Sequence, residues 1–197
     1  MQSPAPRPDE RHRILGIDPG LNTTGYAVIE TRGGGPKLLE AGVIKSTTGR
    51  ATADMADRLK TIYDGVIGVI DQFGPSSLAV EQLYAHYDHP RTAILMAHAR
   101  GAILLSAAQR GLSVSSYAAT QIKKTVTGSG RAGKEQIQLA IVREFGLPQM
   151  PEPPDVADAI AIALCHFHLR NAASPRTSDE GYGVNLDALH DTPTTED

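Results

Sequence analysis

Short apolar runs open this chain, and longer apolar stretches with helical spacing follow them. The run HRILGIDPG predicts a strand that stops at Asp18, where Pro19-Gly20 turns the chain. TGYAVIE and KLLEAGVIKS predict two more strands, joined through TRGGGP as an antiparallel hairpin. Residues 52–73 place Met55, Leu59, Ile62, Val66, Val69 and Ile70 on one helical face, ending before Gly74-Pro75. SLAVEQ is a buried strand whose apolar run ends in a carboxylate, Glu81. A second long helix covers 91–109, LSVSSY is a fifth strand, and helices follow at 119–127, 134–145 and about 155–170. Three antiparallel strands followed by alternating helices and strands predict an α/β fold, a mixed five-stranded sheet flanked by helices.

The helix over 91–109 is apolar on more than one face. One face is expected to cover the sheet, and the other to make a dimer contact or a second internal contact. The sequence has 197 residues, 41% of them hydrophobic and 21% charged, which suits one globular domain with loose ends. Residues 1–12 read as a disordered lead-in, 13–170 as the folded domain and 171–197 as an acidic, disordered tail. No apolar run reaches the roughly 20 residues of a membrane span. There is no signal-peptide pattern, and Cys165 is the single cysteine, so a cytoplasmic location is expected.

Charge changes the picture more than composition does. The tail holds six acids and one base, so the net charge of −3 leaves +2 on residues 1–170. Between Asp88 and Glu135 lie 46 residues without an acid and with seven bases: Arg91, Arg100, Arg110, Lys123, Lys124, Arg131 and Lys134. A one-sign stretch of that length suggests a polyanionic partner.

Four acids have one meeting place. Strands 1 and 4 end in Asp18 and Glu81, and parallel neighbours put their C-terminal ends on one edge of a sheet. Asp155 and Asp158 open a helix that must pack on that sheet. A helix start needs one acid to complement its dipole, yet here two lie on one face. Four carboxylates in one pocket repel each other unless a cation joins them. Mg²⁺ or Mn²⁺, taken by hard oxygen ligands, satisfies this, and two ions about 3.5–4 Å apart bracket a scissile phosphate.

GIDPGLNTTGYAVIE, LAVEQLY and DVADAIAIALCH, in this order and spacing, resemble the RuvC family of Holliday-junction resolvases, whose fold is ribonuclease H-like. The resemblance covers residues 13 to about 168. It implies that Asp18, Glu81, Asp155 and Asp158 are the catalytic, metal-holding acids. It also implies a homodimer that resolves a four-way DNA junction in recombination and repair by paired, metal-dependent nicks in strands of like polarity. RuvA and RuvB, the branch-migration proteins, are the partners it implies. Tyr84 falls where the family has an aromatic that stacks on a base. Lys123 and Lys134 match lysines implicated in DNA contact, and Lys124 and Arg131 join them as expected contacts. The loop after Glu81 is one residue longer than usual, with Ala97-His98 where Gly-Gln is common.

Other readings compete. GSGRAGKE contains a glycine-rich pattern, but Glu135 follows the lysine and a helix precedes the loop, so it is no P-loop. It is expected to join two helices and bring Lys134 near a DNA phosphate. The actin and sugar-kinase ATPases share the opening strand, turn and hairpin, but they need a second such half, and no internal repeat is present. A ribonuclease H-like nuclease acting on RNA–DNA hybrids and a junction-binding protein without cleavage remain the alternatives. His86 and His89 read as exposed loop residues, and His166 and His168 as partners of the last helix dipole.

Overall fold

The structure, a computed structural model, describes residues 12–32, 35–47, 54–83 and 90–171. The elements run β1 (His12–Asp18), β2 (Thr23–Arg32), β3 (Gly35–Lys45), α1 (Met55–Phe73), β4 (Ser77–Glu81), α2 (Pro90–Gln109), β5 (Ser113–Tyr117), α3 (Ala119–Thr127), α4 (Lys134–Phe145) and α5 (Pro154–Asn171). The sheet order is β3-β2-β1-β4-β5. β1, β2 and β3 pair antiparallel, whereas β4 runs parallel to β1 and to β5. This is the mixed five-stranded architecture that the hydrophobic pattern predicts.

Side-chain alternation divides the core into two layers. Leu15, Ile17, Val28, Leu78 and Val80 meet Ile62 and Val66 of α1 and Ala99 and Ile103 of α2. Ile14, Ala27, Ile29 and Ala79 face the other way, against Ile122 of α3, Ile137 and Ile141 of α4 and the small-residue run of α5. β1 lies between β2 and β4, and Ile14, Leu15 and Ile17 are fully buried, which explains its unbroken apolar run.

α1 begins three residues later than the pattern places it. Asp54 caps it by accepting the amide of Asp57 at 2.8 Å, which sets Met55 as the first helical residue. Gly74, Gly128 and Gly146 end α1, α3 and α4 in the left-handed conformation. The GSGRAG segment is therefore a helix-to-helix joint, as its glycines suggest. Among the described residues no helix is long and apolar enough to cross a membrane.

Candidate active site

The same alternation that builds the core aims the acids. On β1, Gly16 and Asp18 share a face, and on β4, Ala79 and Glu81 do, and that is the face α5 covers. β1 and β4 are parallel and in register from Ile14 and Ser77 to Ile17 and Val80, so Asp18 and Glu81 both finish at one edge. α5 brings Asp155 and Asp158 to that edge from above.

Two glycines let α5 come that close. Gly25 pairs with Asp18 across β1 and β2, and a Cβ there would lie 2.1 Å from the carbonyl oxygen of Asp155. A Cβ on Gly16 would lie 2.4 Å from the carbonyl oxygen of Ala159 and 2.7 Å from the Ala163 Cβ. No real side chain fits either gap. Glycine inside a strand marks such a backbone approach, and Gly16 in GID and Gly25 in TGY are where the sequence carries that signal. The turn after Asp18 is also clamped. Ser46 donates its amide to the Asn22 carbonyl at 3.1 Å and its hydroxyl to the Leu21 carbonyl, while Arg58 donates to Asn22 Oδ1 and to Ser46 Oγ.

The crowding shows in the proton affinities. Burial, then the charges of Asp158, Glu81 and Asp155, push the Asp18 carboxyl up to about 7. Burial and Asp158 raise Glu81, and burial, with Asp155 behind it, raises Asp158. Two lysines oppose these shifts. Lys134, the first residue of α4, stands 3.8 Å from Asp158 Oδ2 and lowers both Asp18 and Asp158. Lys123 on α3 lowers Glu81 and Asp158. Among the described residues no three acid, histidine or cysteine side chains close into a ready ion site. The four carboxylates share one electrostatic neighbourhood rather than a finished cage.

Comparison with known proteins decides the family. The profile described as "Crossover junction endodeoxyribonuclease RuvC" matches residues 14–166, a span that holds all four acids and runs from within β1 to within α5. The chain belongs to the RuvC family. A RuvC of Rhodopirellula baltica is 53% identical over 165 residues, which are 84% of this chain and 91% of that protein. The solved RuvC of Thermus thermophilus superposes with a TM-score of 0.73 at 33% identity, covering 81% of this chain and 96% of that one. The same Thermus protein in complex with Holliday junction substrate gives 0.72 at 28% identity, over 82% and 96%. The fold is thus the ribonuclease H-like fold of RuvC.

The remaining predicted contacts separate against this RuvC frame. Lys123 and Lys134 reach the acids, whereas Lys124 and Arg131 are exposed and shift none of the acids' proton affinities. Tyr84, His86 and His89 lie outside the described residues. His166 departs from its expected role as a helix-dipole partner. It is 7% exposed, burial and Arg170 push its pKa down to about 4, and its Nδ1 lies 2.7 Å from the Tyr117 hydroxyl. It is a neutral core residue at neutral pH. His168 lies in the last turn of α5, edge-on to the Phe167 ring.

Proposed function

We propose that this RuvC-family chain is a crossover junction endodeoxyribonuclease that hydrolyses phosphodiesters of a four-way DNA junction with Asp18, Glu81, Asp155 and Asp158 as its catalytic acids. The observation that supports this most is the convergence of four carboxylates from β1, β4 and α5 on one sheet edge, at a cost that raises Asp18 to about 7. A structural role would not require so much uncompensated charge.

The donor set fits a hard divalent cation. It consists of carboxylate oxygens, and their mutual repulsion falls when positive charge enters. Asp18, Glu81, Asp155 and Asp158 would hold Mg²⁺ or Mn²⁺, which in two-ion sites supplies a water of lowered pKa and neutralises charge at the phosphate. The protein's own part is orientation. The sheet edge fixes Asp18 and Glu81, α5 fixes Asp155 and Asp158, and the glycine contacts keep the two sets at close range. Lys123 and Lys134 partly balance the acids and draw the DNA backbone toward them. Tyr84 stacks on a base near the crossover, and Lys124 and Arg131 touch more distant phosphates.

A homodimer completes the reading. A junction is nearly two-fold, and an isologous dimer sets two sites on strands of like polarity. α2 offers the surface: Ile94 and Leu105 are 57% and 52% exposed, and Ile94, His98, Gly101 and Leu105 form one exposed stripe at helical spacing. The folded nuclease unit is residues 13–170, working in the cytoplasm with RuvA and RuvB.

The deciding measurement compares a mobile four-way junction, a matched duplex and an RNA–DNA hybrid, each with Mg²⁺, Mn²⁺ or chelator. Paired nicks are expected in the junction alone, and only with metal. Asp18→Asn, Glu81→Gln, Asp155→Asn and Asp158→Asn should each slow cleavage by at least about 100-fold, with junction binding in chelator equal or tighter. Near-wild-type cleavage by any one variant removes that residue from the site. Preferential cutting of the hybrid, or binding without cleavage, would transfer the reading to an alternative.

A further inference from the structure

The glycine contacts of Gly16 and Gly25 set α5 on β1 and β2, and so fix Asp18 against Asp155 and Asp158. They do nothing for Glu81, which stands on β4 beyond them. Another connection serves that side. Tyr117 ends β5 and lies beside Glu81 in the parallel register. Alternation places its side chain on the α5 face with the Glu81 carboxylate, and its ring packs on that core layer. Its carbonyl accepts the Gln82 amide at 2.9 Å, which carries the ladder one residue past Glu81. Two residues further on, α3 begins, bearing Lys123.

The far end of the ring reaches α5. The Tyr117 hydroxyl and His166 Nδ1 are 2.7 Å apart, with ring centroids separated by 5.8 Å and planes inclined by 59°. His166 follows Asp158 by eight residues, roughly 12 Å along the helix axis, so it takes no part among the acids. Burying an imidazole costs free energy unless it is hydrogen-bonded, and an aliphatic residue would fill the same core without that cost. The hydrogen bond to Tyr117 gives the histidine its purpose.

We infer that Tyr117 and His166 form one positioning unit, a strut between β5 and α5 that sets Glu81 and the start of α3 at their working distance from Asp155 and Asp158. Both act as positioning residues, through Glu81 and Lys123. The inference rests on the nuclease reading above and adds the residues that align its two halves.

The test uses the full chain, with single-turnover junction cleavage in Mg²⁺, junction affinity in chelator and melting temperature measured for each variant. Tyr117→Phe keeps the ring and loses the hydroxyl. His166→Leu keeps approximate volume and loses the partner, while His166→Asn places an amide near the Nδ1 position. Tyr117→Phe and His166→Leu should each slow cleavage by about tenfold, as for one lost hydrogen bond expressed in the barrier. Chelator affinity should fall by no more than about twofold, since Lys134, Lys124 and Arg131 are untouched and only the placement of Lys123 loosens. The double variant should be no slower than either single, and His166→Asn should recover most of the rate. Wild-type cleavage by Tyr117→Phe, multiplying losses in the double variant, or His166→Asn as slow as His166→Leu would each overturn the strut. A wild-type chain that leaves junctions uncut would instead overturn the nuclease reading, and Glu81→Gln measured alongside marks full loss of the site.

Discussion

Asp18 and His166 carry opposite protonation costs, and the difference can be read in stability. In the folded, metal-free protein Asp18 keeps its proton up to about pH 7, whereas its ordinary value is 3.8. The folded state therefore binds the extra proton between those values, and stability falls as pH rises through that window. His166 does the reverse. Its ordinary value is 6.5 and its folded value about 4, so the unfolded chain binds the extra proton and stability rises with pH over that range. The two slopes oppose each other from about pH 4 to 6.5. In chelator, Asp18→Asn should gain on wild type in melting temperature as pH rises from 4 to 7, by roughly 5 °C or more at the top. His166→Asn should lose ground from pH 4 to 6.5. Melting curves at five pH values check both, and an Asp18→Asn difference independent of pH would show that the carboxyl is not under strain. Asp18 as an acid ending an apolar strand was legible in the sequence. The neutral state of His166 was not, because a histidine near a helix end reads as solvated until its neighbours from β5 are known.

At the scale of elements, α5 and the sheet are matched by what they leave out. Gly25 and Gly16 remove side chains beneath Asp155, Ala159 and Ala163, so the helix backbone settles directly on the strands. Gly25→Ala must push the start of α5 outward, at a cost of about 1–3 kcal/mol for overpacking. Because the displaced residue is Asp155, the cleavage rate should fall more than the melting temperature alone explains. Gly68→Ala in α1 is the control, since a Cβ there meets nothing within 4 Å and the position belongs to neither the acids nor the α2 stripe. Crystallography or hydrogen exchange at 155–158, set beside the rates, checks this; equal effects of the two substitutions would argue against the glycine contact as the device that seats the acids. The elements themselves were readable because each has its own period and punctuation. α1 starts at 55 rather than at 52 because Asp54, not the onset of the apolar face, sets the cap by accepting the free amide of Asp57.

For the whole molecule, the acid-free stretch from 89 to 134 supplies two different surfaces. Lys123 and Lys134 turn toward the acids, whereas the α2 stripe of Ile94 and Leu105 points away from the core. If that stripe joins two copies, Ile94→Glu with Leu105→Glu should give monomers by light scattering. Each monomer should keep its melting profile and nick junctions singly, losing the paired cuts. A double variant that stays dimeric would place the interface elsewhere.

The order of elements, the antiparallel-then-parallel sheet, the family and Asp18, Glu81, Asp155 and Asp158 as candidate acids were all legible along the chain. These follow from local periods, turn residues and short motifs, all of which act within a few residues. Only folding shows that the acids raise one another's proton affinities, which two of the candidate lysines face them, and that His166 pairs with Tyr117. Those facts depend on distances between residues far apart in the chain. Such distances are set by the gap at a glycine, the alternation of two neighbouring strands and the angle of one helix across them, none of which is encoded at a single position.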